Sequence, residues 1–271
     1  MVSEIFDATQ LHLHKRRAAP HIIEDDVLYS EMAERLLDRL RDIKRTFPTV
    51  WIHGYLGRPS VSALAMLQSS ELYSTGPFPP VVMAPAFQHF NSLVHFVESA
   101  DISLPFPPHS FHCIISCLQL HWVNDLPGLL IQMRRILKPG GVFLAVLWGE
   151  ETLIELRQVL MQAELALHQR AAARVSPMLS AQDAAALMQR AGFVSPVVDT
   201  QKMTLTYSSL VGLVKDLRQM GETASFVSSA PYLSRHAWVE AERLYREDFS
   251  TPDKKLAATF QGVFLTGWAP L

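Results

Sequence analysis

The sequence predicts an α/β fold in which helices cover both faces of a mostly parallel sheet. Two short apolar runs, at 113–117 and 142–148, have the length of strands buried on both faces. Between them, the apolar residues of 126–137 recur at helical spacing. The sequence KPGG at 138–141 ends this helix, because Pro cannot extend it and Gly accepts left-handed geometry. A strand–helix–strand unit of this kind implies parallel strands joined by a right-handed crossover.

Composition limits the classes of function. The chain has 271 residues, 49% of them hydrophobic, which is enough for the core of one α/β domain. A net charge of −2 gives no general attraction to nucleic acid or to an anionic membrane. No apolar run has the length of a membrane-spanning helix, and the N-terminus lacks an apolar signal core. We therefore expect a cytoplasmic protein without a transmembrane segment or a nucleic-acid partner.

The two cysteines indicate no disulfide and no metal site. Cys113 and Cys117 lie four residues apart on one predicted strand, so their side chains share a face but are too far apart to bond. Their spacing is not that of a zinc site. We expect two buried, reduced thiols.

The first half of the chain divides into a basic N-terminal arm, 1–23, and the beginning of a single domain, 24–271. The arm's histidines and basic residues favour a solvated segment; the alternative is an arm that folds over a ligand or docks a partner. An amphipathic helix at 24–47 precedes a strand at 49–53 and a turn containing Gly54 and Gly57. We predict a helix at 60–68 and further strands at 81–84 and 93–97.

The second half predicts the rest of the sheet and a helical insertion. A helix follows Trp148 and runs to about residue 166, and another at 180–191 begins with Ser180 as its N-cap. Strands are predicted at 194–200 and at 259–268, the latter at an edge of the sheet. Two amphipathic helices, 207–220 and 231–249, form an insertion at about 207–250 that either covers a pocket as a lid or only covers the sheet.

The turn after the strand at 113–117 carries the first candidate catalytic residues, because α/β sheets bind ligands at the carboxyl ends of their strands. His121 can act as a base or contact a substrate, and Trp122 can form a wall of the pocket. The alternatives are a hydrogen-bonded structural histidine and a core tryptophan. Glu151 either faces the site or complements the dipole of the helix that follows it. Asp125 caps the next helix.

Several blocks of sequence resemble a known family. The LPF triplet at 104–106, LHWVNDLP at 120–127 and LKPGG at 137–141 are similar to class I S-adenosylmethionine-dependent methyltransferases. Together with TLIELR (152–157), RAGF (190–193), DLRQMGET (216–223) and LTGWAP (265–270), they resemble the bacterial relatives of the mitochondrial complex I assembly factor that hydroxylates an arginine of a complex I subunit. The resemblance implies a Rossmann-like, seven-stranded methyltransferase fold with a methyltransferase type 11 domain.

The resemblance also implies S-adenosylmethionine as the cofactor. The positions that match the family's cofactor site are His53, Gly54, Gly57, Ala84, Asp101, Ile102, Cys117 and Leu118. The cofactor loop is eroded. Arg58 stands at the position of its last glycine, Ala84 stands where an acid binds the ribose hydroxyls, and His112 replaces an acid after Phe111.

Two hypotheses of function follow. The first is a methyltransferase-like enzyme that acts on a protein side chain in respiratory complex I assembly, by methyl transfer or arginine hydroxylation. The second is a catalytically inactive binding or assembly protein that keeps the fold after losing its cofactor loop. A protein substrate or assembly partner is expected in both cases. A cofactor cleft filled by the side chains of Tyr55, Leu56 or Arg58 would favour the second hypothesis.

Overall fold

The computed structural model describes residues 4–22, 27–57, 64, 67–76, 78, 93–97, 103–228 and 230–271. Its strands form a seven-stranded sheet in the order β3-β2-β1-β4-β5-β7-β6. The strands are β1 (Thr49–Gly54), β2 (Glu71–Thr75), β3 (Leu93–Phe96), β4 (Phe111–Cys117), β5 (Leu137–Trp148), β6 (Val194–Tyr207) and β7 (Leu256–Trp268). The predicted strand–helix–strand unit is confirmed as β4, a helix and β5, which pair in parallel.

Helices lie on both faces of the sheet, as predicted. They are α1 (Ala8–Ile22), α2 (Val27–Arg41), α3 (Leu126–Ile136), α4 (Ile154–His168), α5 (Ala181–Arg190), α6 (Leu210–Met220) and α7 (Arg235–Phe249). The predicted insertion is confirmed, since α6 and α7 lie between β6 and β7. Asp125 and Ser180 cap α3 and α5 as expected, by accepting from the amides of Gly128 and Asp183.

Two cores flank the sheet, because successive side chains of a strand point to opposite faces. On β4, Ile115 packs in the core formed with α2, α4, α6 and α7, while Ile114 packs in the core formed with α3 and α5. Both cysteines are free and buried in the first core. No helix in the described part of the chain is long and apolar enough to cross a membrane.

The last strand does not lie at an edge, and this prediction is wrong. β7 lies between β5 and β6 and pairs antiparallel with both. β6 lies at this edge of the sheet, and its alternation of exposed and partly buried residues fits that position. Because β7 is paired on both sides, nearly all of its residues are buried. Buried and partly buried residues alternate only near its two ends.

The second strand lies earlier in the chain than predicted. β2, at Glu71–Thr75, pairs in parallel with both β1 and β3. The predicted strand at 81–84 and the predicted helix at 60–68 lie wholly or mostly outside the described residues. The sequence ELYST does not predict a strand, because it contains no apolar run. In the structure Leu72 and Ser74 are nevertheless both buried.

The basic arm is not a solvated segment. Its residues form α1, whose buried face consists of Lys15, Ala18, Ala19 and Ile22. Only one of these four residues is a large apolar one. Lys15 is fully buried on this face although its side chain ends in a charged ammonium group.

Candidate functional site

The candidate site lies at the carboxyl ends of β1 and β4, where Gly54 is paired with Cys117. Gly54 has a φ of +106°, and a Cβ added there would lie 2.2 Å from the carbonyl oxygen of Cys117. Only glycine fits this close approach of two backbones. A 3₁₀ turn, Leu120–Trp122, follows β4 and brings His121 and Trp122 to this end of the sheet.

Glu222 reaches the same place from α6. This helix ends at Gly221, which has a φ of +69° and whose amide bonds the carbonyl oxygens of Leu217 and Arg218. A Cβ at Gly221 would lie 2.9 Å from Cδ of Lys15, so the glycine also allows α1 to approach closely. The chain then turns, and the buried carboxylate of Glu222 faces the 3₁₀ turn.

Four side chains bind the Glu222 carboxylate. The ammonium of Lys15 donates to Oε1, and the hydroxyl of Tyr29 donates to the same oxygen at 2.6 Å. The indole Nε1 of Trp122 donates to Oε2 at 3.2 Å, and Nε2 of His121 lies 3.1 Å from that oxygen. Lys15 also donates to the hydroxyl of Tyr29 at 2.8 Å. The pocket therefore provides a fully hydrogen-bonded carboxylate, the condition under which a buried charge is tolerated.

The charges of this cluster follow from its burial. Burial would raise the pKa of Glu222, but the nearby Lys15 and His121 outweigh it and lower the pKa to about 2. Burial lowers the pKa of His121, with Glu222 opposing the effect. Burial also lowers the pKa of Lys15, again opposed by Glu222. We infer an ionised carboxylate paired with the Lys15 ammonium, beside a neutral imidazole.

His121 retains an unused polar atom. Within the described part of the chain, Nδ1 of His121 is buried and has no hydrogen-bond partner. Because the carboxylate of Glu222 can only accept, Nε2 of the neutral ring carries the proton. Nδ1 then holds a lone pair, which can accept a hydrogen bond or a proton from a bound molecule.

An apolar cavity of about 160 Å³ adjoins the carboxylate. Residues of α4, α6 and α7 and of the segments 174–178 and 222–224 line it, and they include both Glu222 and Arg174. Its apolar walls include Leu153, Leu156, Val214, Leu217, Leu233 and Trp238. Because Arg174 is paired with Glu164, Glu222 contributes a negative charge to a mostly apolar lining.

The start of the chain closes the site on another side. Asn124 accepts from the backbone amides of Ile5 and Phe6 at 2.9 Å and donates to the carbonyl of Phe6 at 2.9 Å. The Phe6 ring lies 5.2 Å from that of Trp122. The amide of Asp7 bonds the carbonyl oxygen of Ser225. The arm thus contacts both the turn after β4 and the segment after α6.

The structure brings only some of the predicted residues together. His121 and Trp122 both bond the Glu222 carboxylate. Glu151 is engaged elsewhere, because its carboxylate pairs with Lys202 of β6 at 2.5 Å and accepts from Gln261 of β7 at 3.1 Å. His53 is buried, with Nδ1 2.9 Å from the hydroxyl of Ser116.

Lys15, Tyr29 and Glu222 were missed as site residues. In the sequence, Lys15 belongs to a basic arm, Tyr29 to an amphipathic helix and Glu222 to the segment between two helices. None of these positions indicates a functional site. The signal that could have found Glu222 is its place directly after a helix-ending glycine in one of the resembling blocks. No pattern within either segment pairs Lys15 with Glu222, which lie 207 residues apart.

The remaining cofactor residues lie at the strand ends or outside the described residues. Cys117 is buried next to Glu222, and burial, followed by that charge, raises the pKa of its thiol. Leu118 is buried with a φ of +50°. Ala84, Asp101 and Ile102 lie outside the described residues. The second strand, which is β2, ends at Thr75. The described residues contain no group of three His, Cys, Asp or Glu able to hold a metal.

The strand order, the two helical layers and the polar site at the carboxyl ends define a class I S-adenosylmethionine-dependent methyltransferase fold. A family model described as a methyltransferase domain matches residues 60–145. The crystal structure of the YcgJ protein from Bacillus subtilis matches this chain with a TM-score of 0.59 at 14% identity, over 88% of this chain and 99% of that one.

Sequence relatives define the family within this class. The mitochondrial arginine-hydroxylase NDUFAF5 of Rattus norvegicus is 32% identical, over 97% of this chain and 77% of its own length. The malonyl-[acyl-carrier protein] O-methyltransferase of Halorhodospira halophila is 31% identical, over 89% of this chain and 81% of its own length. The chain belongs to the family of arginine-hydroxylase NDUFAF5, which confirms the resemblance seen in the sequence blocks.

The described part of the cofactor cleft keeps the glycine conformations of a ligand-binding turn and lacks an acid at the end of β2. Gly54 and Gly57 retain left-handed conformations, with φ of +106° and +73°, as a ligand-binding turn requires. Tyr55 and Leu56, however, are buried in the core, and the rings of Tyr55 and Phe78 pack 5.7 Å apart. β2 ends at Thr75, whose hydroxyl accepts from Trp51 at 3.0 Å, and none of residues 75–84 is acidic.

Proposed function

We propose that this protein acts on a protein side chain during assembly of respiratory complex I, with arginine as the target of methyl transfer or hydroxylation. Two findings support the proposal. The relative from Rattus norvegicus is an arginine hydroxylase that covers nearly the whole chain. The site also offers the Glu222 carboxylate at an apolar cavity, with the His121 imidazole bonded to that carboxylate, a combination that suits the head and the stem of an arginine.

The pair of His121 and Glu222 is the single observation that carries this proposal. Glu222 fixes the imidazole through Nε2 and leaves the buried Nδ1 lone pair without a partner among the described residues. In that position Nδ1 can accept a hydrogen bond from an N–H of a bound guanidinium and orient it. No step is assigned to S-adenosylmethionine, because Ala84, Asp101 and Ile102 of its predicted site lie outside the described residues.

The test is modification of arginine in complex I subunits. The purified protein is incubated with these subunits and either S-adenosylmethionine as a methyl donor, or molecular oxygen together with a reductant, which hydroxylation requires. Mass spectrometry then measures the gain of a methyl group or of one oxygen atom on arginine. We expect modification by the wild type, a loss of about 100-fold or more in His121→Asn, and no loss in the matched control His168→Asn, which lies at the exposed end of α4. Equal activity of both variants would contradict the role of His121.

A second function, a non-catalytic assembly protein, is favoured by one observation, the burial of Tyr55 and Leu56 where the cofactor turn should open. The comparisons favour the first function. Calorimetric titration with S-adenosylmethionine and S-adenosylhomocysteine separates the two. Micromolar binding supports the enzyme, whereas a folded sample that binds neither at millimolar concentration supports the assembly protein. A cytoplasmic location stays a prediction under either function.

A further inference from the structure

Lys15 occupies a site that is built for a cation. Its side chain is fully buried, which is rare for lysine and requires a partner. The ammonium meets the Glu222 carboxylate and the Tyr29 hydroxyl, and it lies 5.5 and 5.8 Å from the ring centres of Tyr29 and Phe78. A carboxylate and aromatic rings around one point form a recognition site for ammonium or guanidinium groups.

The carboxylate is held without the help of Lys15. Tyr29, His121 and Trp122 all donate to it from α2 and from the turn after β4, so its position does not depend on α1. It also borders the apolar cavity, whose lining comes from α4, α6 and α7 and from the segments 174–178 and 222–224. Glu222 therefore belongs both to the Lys15 site and to the wall of this cavity.

The helix that carries Lys15 is weakly held by apolar contacts. Apart from Lys15, its buried face offers two alanines and Ile22, and Pro20 lies within its last turn. A large apolar side chain contributes about 1.5–3 kcal/mol when fully buried, and α1 contributes only one. Its other attachments are the buried Phe6 ring before the helix, which packs on Trp122, and hydrogen bonds such as those of His14 with the hydroxyls of Thr223 and Ser225.

We propose that the Glu222 pocket is a binding site for a cationic side chain, arginine or lysine, of a partner protein, and that Lys15 fills it from within the chain until α1 moves aside. The partner's identity as a substrate rests on the proposed function above. The binding site itself does not, because its test requires no catalysis and no cofactor.

The test fills the vacated site with a small amine. Lys15→Ala removes the ammonium and its stem, which n-propylammonium replaces atom for atom. We expect n-propylammonium chloride to raise the Tm of Lys15→Ala by about 3–6 °C for each tenfold excess over its Kd, beyond the effect of sodium chloride at equal ionic strength. N-propylguanidinium in a parallel titration shows whether the pocket prefers arginine or lysine.

Two controls identify the site. Lys15→Met fills the space of the stem and carries no charge, so it should not respond to the amine. Glu222→Gln in the Lys15→Ala background should abolish the response. If Lys15→Ala does not fold in buffer, the same titration is followed by recovery of its circular dichroism. The proposal is overturned if neither amine stabilises or refolds Lys15→Ala more than sodium chloride does.

Discussion

At the scale of single residues, the Glu222 carboxylate holds the site together. It accepts from Lys15, Tyr29, His121 and Trp122, which come from three separate segments. A buried ion pair adds little to stability compared with apolar residues, but removal of one partner is costly because the other charge stays buried.

Glu222→Gln should therefore lower the free energy of unfolding by about 3–5 kcal/mol, since the Lys15 ammonium loses its counter-charge. Urea denaturation measures the change. Glu240→Gln is the matched control, because Glu240 pairs with Arg243 on an exposed surface and should matter little. Equal losses in the two variants would contradict the assigned role of Glu222.

Stability should fall on acidification. The folded-state pKa of Glu222 is about 2, below the reference 4.5, so its stabilisation is present above pH 4.5 and is lost as the pH falls towards 2. Burial lowers the pKa of His121 below 6.5, so the unfolded chain takes up this proton first and stability already falls below pH 6.5. Unfolding free energies of the wild type and His121→Asn, measured between pH 7 and 4.5, should show a flatter profile in the variant.

The sequence predicted two residues of the site and missed three. His121 and Trp122 were found because a motif follows a strand end, where ligands bind in α/β sheets. Lys15, Tyr29 and Glu222 were missed because their roles arise from contacts between distant segments, and basic arms and amphipathic helices usually have solvated charges. Glu151 was placed near the site by its block, but its own contacts lie on β6 and β7.

At the scale of elements, the end of α6 determines where Glu222 lies. Gly221→Ala should destabilise the protein by about 1–2 kcal/mol, because the left-handed conformation at φ +69° penalises a side chain and the new Cβ meets Lys15. The control is Gly212→Ala on the same helix, where the Cβ finds ordinary contacts and alanine favours the helix. Thermal unfolding of the pair measures the contrast, and the same sign in both would contradict it.

The attachment of α1 depends on Asn124. Asn124→Ala removes the bonds to the backbone of Ile5 and Phe6, so the amides of α1 should exchange hydrogen faster while the sheet keeps its protection. Asp125→Ala is the neighbouring control, since it removes the cap of α3 and no bond of the arm. Unchanged exchange of α1 in Asn124→Ala would show that the arm is held by other contacts.

Most elements were predictable, and the exceptions have physical causes. The unit β4–α3–β5 was found because its apolar runs and its KPGG terminator agree with one another. β2 was missed because five residues with mixed polarity carry no periodic signal, and its burial arises from pairing on both sides. β7 was placed at the edge because position within a sheet depends on distant pairings.

At the scale of the whole molecule, the fold brings three segments that are far apart in the sequence to one place. Residues of the arm, of the turn after β4 and of the insertion between β6 and β7 meet at the carboxyl ends of the strands. Open α/β sheets bind their ligands at this end. The insertion, predicted either as a lid or as sheet cover, covers the sheet, since α6 packs in the core, and Glu222 follows the end of α6.

The central claim is that the Glu222 pocket accepts a cationic side chain in place of Lys15. The most direct measurement is hydrogen exchange of the wild-type protein with and without a saturating arginine-bearing ligand, Nα-acetyl-arginine methylamide. The account predicts faster exchange of the amides of α1 on binding, with β4 and β5 unchanged. Exchange of α1 that stays the same, at a ligand concentration that calorimetry shows to be saturating, would contradict it.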